Sequence, residues 1–153
     1  MRGLFVAFEG IDGSGKSTQA RRVAEKANAL FTFEPGDTPL GSLLRTRLLD
    51  AAEHMTPQTE ALLMLADRSH HVSQVIEPAV VAGRHVVSDR FLGSTLAYQG
   101  YGRGMDLEQL HRATDLAVGT CRPQLTIVID ISTELSMERR GPDSRDRFES
   151  AGQ

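Results

Sequence analysis

The sequence is short of cysteine, of surplus positive charge and of long apolar runs, and each shortage closes off a class of protein. A single cysteine, Cys121, rules out an internal disulfide and points to a reducing compartment. It reads as a small half-buried residue before a turn. Lysine and arginine total 17 against 20 aspartates and glutamates, a net charge of −3. No basic field is available to hold a nucleic acid polymer, so a nucleotide is the better expectation. No apolar stretch approaches bilayer length, and the chain enters its first strand without a charged-then-apolar leader. A cytoplasmic protein with no membrane partner is expected. Repeats, low-complexity tracts and linkers are also missing. At 40% hydrophobic and 24% charged, residues 1–153 read as one globular domain.

What is present is organised around Leu4–Gln19, LFVAFEGIDGSGKSTQ. Leu4 to Phe8 form a short apolar run suited to a buried central strand. The chain then breaks into Gly10-Ile11-Asp12-Gly13-Ser14-Gly15-Lys16-Ser17-Thr18, whose first eight residues fit G-x-x-x-x-G-K-[ST] without a mismatch. Glycines let such a loop curl until successive amide N–H groups converge on a phosphate. Lys16 can reach the β- and γ-phosphates, and the Ser17 hydroxyl is suited to Mg²⁺. Ala20, Val23, Ala24 and Ala27 follow at helical spacing, aiming a positive helix end at the same anion. Residues 10–18 are therefore the expected ATP-binding loop.

The elements alternate. Strands are expected at 4–9, 29–33, 85–89 and 124–131. Helices are expected at about 16–27, 40–50, 57–82, 94–99, 107–117 and 133–140. This pattern predicts an α/β fold, a parallel sheet with helices on both faces. Thr56-Pro57 is a helix start, and Asp106 with Gln109 resembles a capping box. Along 57–82, Leu62, Leu65, Ala66, Ser69, Val72 and Ile76 are expected to form the apolar face. Met64, Asp67, Arg68 and His71 fall on another, and Pro78 is expected to kink the helix.

In an open parallel sheet, ligands gather beyond the carboxyl ends of the strands. The phosphate loop, Glu34 and Asp89-Arg90 all sit at such ends, so three strands should deliver polar groups to one crevice. Asp89, an acid closing an apolar strand, is placed as a metal-side carboxylate beside Ser17. Arg139, Arg140, Arg145 and Arg147 flank a Gly-Pro break after the fourth strand. A lid at about 133–149 that brings guanidinium groups to a transferred phosphoryl is expected.

With these motifs in hand, the chain resembles the thymidylate kinase family of P-loop nucleoside monophosphate kinases. The resemblance rests on FEGIDGSGKSTQ (8–19), EPGDTPLGSLLR (34–45), LADRSHHV (65–72), SDRFLGSTLAYQGYGRG (88–104) and DRFE (146–149). It implies a three-layer P-loop fold, transfer of the ATP γ-phosphoryl to dTMP on the way to dTTP, Mg²⁺ as cofactor and a homodimer. Matched residue by residue, Asp12 faces the sugar and metal, Arg90 and Arg45 hold the monophosphate, and Arg68 bonds the thymine edge. Thr95 stands against the base with Gln99 beside it, and Tyr98 lies beneath the deoxyribose, where a ribose 2′-hydroxyl would clash. Catalytic roles fall to Asp12, Lys16, Arg90, Arg140 and Arg147. Gly13 stands where some members carry an arginine, which agrees with transition-state arginines drawn from the lid. Phe33 replaces the usual arginine before Glu34, and Met64 replaces an aromatic expected to stack on thymine. Family members continue beyond the lid, so the chain is expected to stop short of their last elements. A catalytically silent nucleotide-binding domain, or a kinase of the same fold acting on another nucleotide, are the alternatives.

Overall fold

The computed structural model describes residues 1–50 and 52–140. Four parallel strands, β1 (Phe5–Glu9), β2 (Leu30–Phe33), β3 (Val86–Asp89) and β4 (Leu125–Val128), form one sheet in the order β2-β3-β1-β4. Alternation along β1 sorts the two faces. Phe5 and Ala7 pack with Val72, Ile76, Val80, Phe91 and Val118 on one side. Phe8 packs with Ala20 and Ala24 on the other, joined by Val6, Phe31 and Ile127. Helices thus cover both faces, giving the three-layer architecture expected. Cys121 belongs to the first of these clusters, and burial pushes its thiol pKa up.

Helix α1 (Lys16–Lys26) returns to β2 through a very short connection. Asn28 adopts φ 50, Asn28 N–H bonds Glu25 O at 3.2 Å and Ala29 N–H bonds Ala24 O at 2.8 Å. These paired bonds close the helix in the space of one left-handed residue. Helix α2 (Pro39–Leu49) starts at Thr38, whose side chain accepts from Gly41 N–H, and α3 (Pro57–His71) starts at Thr56 in the same way. Asp106 caps α6 (Leu107–Val118) through Gln109 N–H at 2.8 Å.

Four expectations are corrected. The long helix is not uniform: α3 widens into a π-helical turn at Val72–Ile76 and resumes as α4 (Glu77–Val81). Pro78 follows that turn and has no N–H to give to the residue four back, so the ladder loses a rung there. The apolar face is also different. Leu62, Ala66 and Ser69 are exposed, while Asp67, Arg68 and His71 are buried, because ion pairs described below satisfy them. The predicted helix at 94–99 begins earlier, as α5 (Leu92–Thr95), and runs on as a π-helical stretch to Gly102. β4 ends at Val128 rather than 131; its neighbour β1 leaves the sheet after Glu9, so no pairing edge remains. Helix α7 (Thr133–Arg140) closes the described chain. Arg145, Arg147 and the remainder of the expected lid lie outside the described residues.

Candidate active site

The carboxyl ends of β1, β2 and β3 open into one cleft of about 480 Å³. Asp12, Lys16 and Ser17 line it from the phosphate loop, Glu34 and Arg45 from the β2 side, and Asp89 and Arg90 from β3. Met64, Tyr98 and Gln99 also line it.

Within the loop, Gly13 and Gly15 take φ 78 and 88, values that suit glycine. Gly15 is the N-cap of α1 and offers no side-chain acceptor to the first turn. A helix start left in that condition takes an anion as its cap. Lys16 is 5% exposed and folds back, its Nζ donating to Asp12 Oδ1 at 2.8 Å. Arg90 Nη2 donates to that same oxygen at 2.5 Å. Burial raises the Asp12 pKa, but Arg90 and Lys16 together outweigh it and hold the carboxyl below its usual range.

Arg90 itself is built into place from several sides. It adopts φ 71, an uncommon backbone for a non-glycine residue, costing on the order of 1–3 kcal/mol. Its N–H bonds Phe8 O at 2.8 Å and Ser88 Oγ donates to its carbonyl at 2.7 Å. Its Nη1 donates to Ser94 Oγ at 2.9 Å, and the guanidinium lies 5.3 Å from the Tyr98 ring centre. Glu9, at the end of β1, accepts from Phe91 N–H, Ser94 N–H and Ser94 Oγ. A side chain at Gly93 would come within 3.0 Å of that carboxyl. Glu9 thereby fixes the start of α5 and the direction in which Arg90 points.

On the opposite wall, Arg45 Nη1 donates to Pro35 O at 2.6 Å and its guanidinium lies 5.6 Å from the Phe33 ring centre. The arginine absent at position 33 is thus replaced by an aromatic platform under Arg45. Gly36 leaves the space for that side chain, since a Cβ there would sit 2.8 Å from Arg45 Cδ.

Arg68 and Thr95 are placed otherwise than expected. Both are fully buried and neither lines the cleft. Arg68 donates to Glu34 Oε2 at 2.7 Å, Thr95 Oγ1 at 2.7 Å and Phe91 O at 2.8 Å. Glu34 is 3% exposed, its carboxylate shared between Arg68 and His71. Gln99 donates to Glu60 Oε1 at 2.8 Å, and Glu60, 0% exposed, also pairs with Arg103. Asp67 accepts from Gly36 N–H at 3.3 Å, and burial with Glu34 nearby lifts its pKa to about 6.

Helix α7 rests directly on the phosphate loop. Ser136 Oγ donates to Asp12 O at 2.6 Å and Arg139 Nη1 to Gly13 O at 3.2 Å. Sequence reasoning missed the supporting residues Glu9, Glu60, Thr32, Ser94 and Ser136. Glu9 had a legible signal, an acid closing a buried strand just before the loop; a lone Ser136 on an exposed helix had none.

The profile of the thymidylate kinase family matches residues 8–151. A thymidylate kinase of Desulforudis audaxviator is 45% identical over 159 residues, covering 99% of this chain and 72% of the relative. One from Cupriavidus metallidurans is 47% identical over 154 residues, covering 97% and 76%. The crystal structure of thymidylate kinase from Ehrlichia chaffeensis superposes with a TM-score of 0.80 at 37% identity, covering 91% of this chain and 78% of that one.

Proposed function

The chain belongs to the thymidylate kinase family, and on that footing we propose that it moves the γ-phosphoryl group of ATP to dTMP, giving dTDP and ADP, with the cleft residues in the roles that follow. The observation that carries this reading is the convergence of Lys16 and Arg90 on Asp12 Oδ1. One cation belongs to the phosphate loop and the other to the β3 end. Two anions bound to them would therefore face each other across a few ångströms. Bringing donor and acceptor phosphates together in this way supplies much of the catalysis that phosphoryl transfer needs.

Residues 10–18 hold the ATP phosphates, Lys16 leaving Asp12 for the transferred group. Arg90 and Arg45 grip the dTMP phosphate, whose oxygens are already ionised at neutral pH, so no dedicated general base is required. Tyr98 lies against the sugar, and Met64 and Gln99 against the base. Arg68 and Thr95, bonded to each other with Arg68 also paired to Glu34, hold the wall on which the base packs rather than reaching into the cleft. From α7, Arg139 and Arg140 support a charge-stabilising role, which Arg147 would share.

Thymidylate kinases use ATP with a divalent metal, and the residues present suit Mg²⁺. Asp89 Oδ1 is buried without a partner among the described residues, and Asp89 and Ser17 both line the cleft. When bound, the ion offsets charge on the β- and γ-phosphate oxygens.

A homodimer is supported by exposed Leu43, Leu62 and Leu116, which lie on α2, α3 and α6, helices packed side by side. No helix is long and apolar enough to cross a membrane among the described residues. An ADP-release assay with ATP and dTMP, dUMP, dCMP, AMP or thymidine tests the function. Turnover is expected with dTMP. Release no faster with dTMP than with ATP alone would defeat the proposal, and a preference for thymidine would remove the monophosphate role of Arg90 and Arg45.

A further inference from the structure

Behind the cleft wall, a chain of polar side chains runs from α3 into β2 and the loop after it. Arg68 Nε donates to Glu34 Oε2 at 2.7 Å, and Glu34 Oε1 meets His71 Nδ1 at 2.9 Å. His71 Nε2 meets Thr32 Oγ1 at 2.5 Å, and Thr32 Oγ1 donates to Asp37 Oδ2 at 2.5 Å. Thr32, Arg68 and His71 are all 0% exposed, so water cannot replace a missing link.

Counting hydrogens along this chain fixes the state of the ring. The Thr32 hydroxyl has one hydrogen and the Asp37 carboxylate can only accept, so that hydrogen goes to Asp37. His71 Nε2 must then donate to Thr32 Oγ1. At the other end, Glu34 is in a buried ion pair with Arg68, and an ionised carboxylate has no hydrogen to offer His71 Nδ1. That nitrogen must donate as well. A neutral ring, with one N–H, would leave one of these short contacts as lone pair against lone pair, at the cost of a buried unmade bond.

We propose that His71 is held as an imidazolium and is a positioning residue, pinning β2 and the 34–37 loop to α3. The loop it pins carries Pro35 and Gly36, which line the cleft and seat Arg45. The charged groups facing His71 are Glu34 and Asp37 from the loop and Asp67 on its own helix, with Arg68 beyond Glu34. Three acids against two bases leave the ring's positive charge compensated. Its effect on dTMP binding rests on the function proposed above; the state of the ring does not.

Nitrogen-15 NMR of the histidine rings in the full chain, without nucleotide at neutral pH, tests the proposal. Both His71 nitrogens are expected to carry protons. Asp37→Ala returns the Thr32 hydrogen to the ring side, where it can be donated to Nε2, so one ring proton should be lost. Thr32→Val removes the acceptor with little change of shape and should also leave one proton, while Thr32→Ser keeps two. In the ADP-release assay, Thr32→Val should raise KM for dTMP roughly tenfold with kcat changed less, as loss of a charge-assisted bond implies, and Thr32→Ser should restore it. A singly protonated ring in the unaltered chain overturns the inference, and so does a Thr32→Val or Asp37→Ala ring that keeps both protons. Absence of any kinase activity would instead count against the proposed function and leave the NMR result standing.

Discussion

Lys16 and Arg90, drawn from opposite halves of the chain, share one acceptor: Asp12 Oδ1 lies 2.8 Å from Lys16 Nζ and 2.5 Å from Arg90 Nη2. Two cations so close are tolerated because the carboxylate between them is ionised, its pKa lowered by both despite partial burial. Incoming phosphates would take over its work, each cation exchanging one anion for another with little reorganisation of the loop.

Removing either cation is therefore expected to damage turnover severely. Lys16→Ala or Arg90→Ala should lower kcat by about 10²–10³-fold, the range seen when one charge-stabilising donor is lost. Initial rates of ADP release at saturating ATP and dTMP give the comparison. Rates within a few-fold of the unaltered chain would remove these residues from the reaction.

Tyr98 stands beside Arg90, its hydroxyl 3.3 Å from Nη2. Tyr98→Phe should cost little, since the ring face remains to pack on the sugar. Tyr98→Ala should lower kcat/KM for dTMP and narrow the preference for dTMP over UMP by roughly tenfold, the scale on which a shape contact discriminates. An unchanged preference in Tyr98→Ala would show that the ring does not sense the 2′ position.

Much of this arrangement was legible in the chain. Apolar runs ending in Glu9, Phe33 and Asp89 announced three strands, and the glycine-lysine loop announced the crevice at their ends. The parallel order β2-β3-β1-β4 then brought Glu34, Asp89 and Arg90 to the loop. What periodicity misjudged was α3. Spacing puts Leu62 and Ala66 on the apolar face and Asp67, Arg68 and His71 on a separate, polar one. Long-range partners reverse this: Glu34 and Thr32, remote in sequence, satisfy Arg68 and His71 and make their burial possible. The π-helical turns escaped for a related reason, because they are set by packing and by the missing N–H of Pro78 rather than by residue spacing. Arg68 and Thr95 were correctly brought into one neighbourhood by their motifs, yet burial depth is a tertiary quantity that no motif encodes.

Asp67 should make the fold pH-dependent. Its pKa is raised from 3.8 to about 6, chiefly by burial and then by Glu34. Below about pH 4 it is protonated whether the chain is folded or not and costs nothing. As pH climbs from about 4 to 6 the unfolded chain ionises first, so stability falls, and above 6 the loss is complete. Asp67→Asn, which keeps a carbonyl for Gly36 N–H, should therefore be more stable by about 1–3 kcal/mol at neutral pH, with the gain shrinking below pH 5. Denaturant unfolding across pH 4–8 measures it. A stability difference that does not change with pH would mean Asp67 has an ordinary pKa.

Gly13 is where α7 meets the phosphate loop, and a side chain there would be both strained and crowded. A Cβ there would stand 3.0 Å from Ser136 O and 3.2 Å from Arg140 Cγ, and the backbone has φ 78. The contacts vanish only if α7 lifts or the loop refolds, and the backbone strain only if the loop refolds; either change breaks the Ser136–Asp12 and Arg139–Gly13 bonds. Gly13→Ala should accordingly raise KM for ATP and lower kcat together, by roughly tenfold or more, for a loss of about 1–3 kcal/mol of strain and bonding. Ser136→Ala, which removes one of those bonds without strain, should move the same constants in the same direction by a smaller factor. If Gly13→Ala binds ATP normally and only the unfolding midpoint shifts, α7 is a structural brace for the loop rather than a lid that works with it.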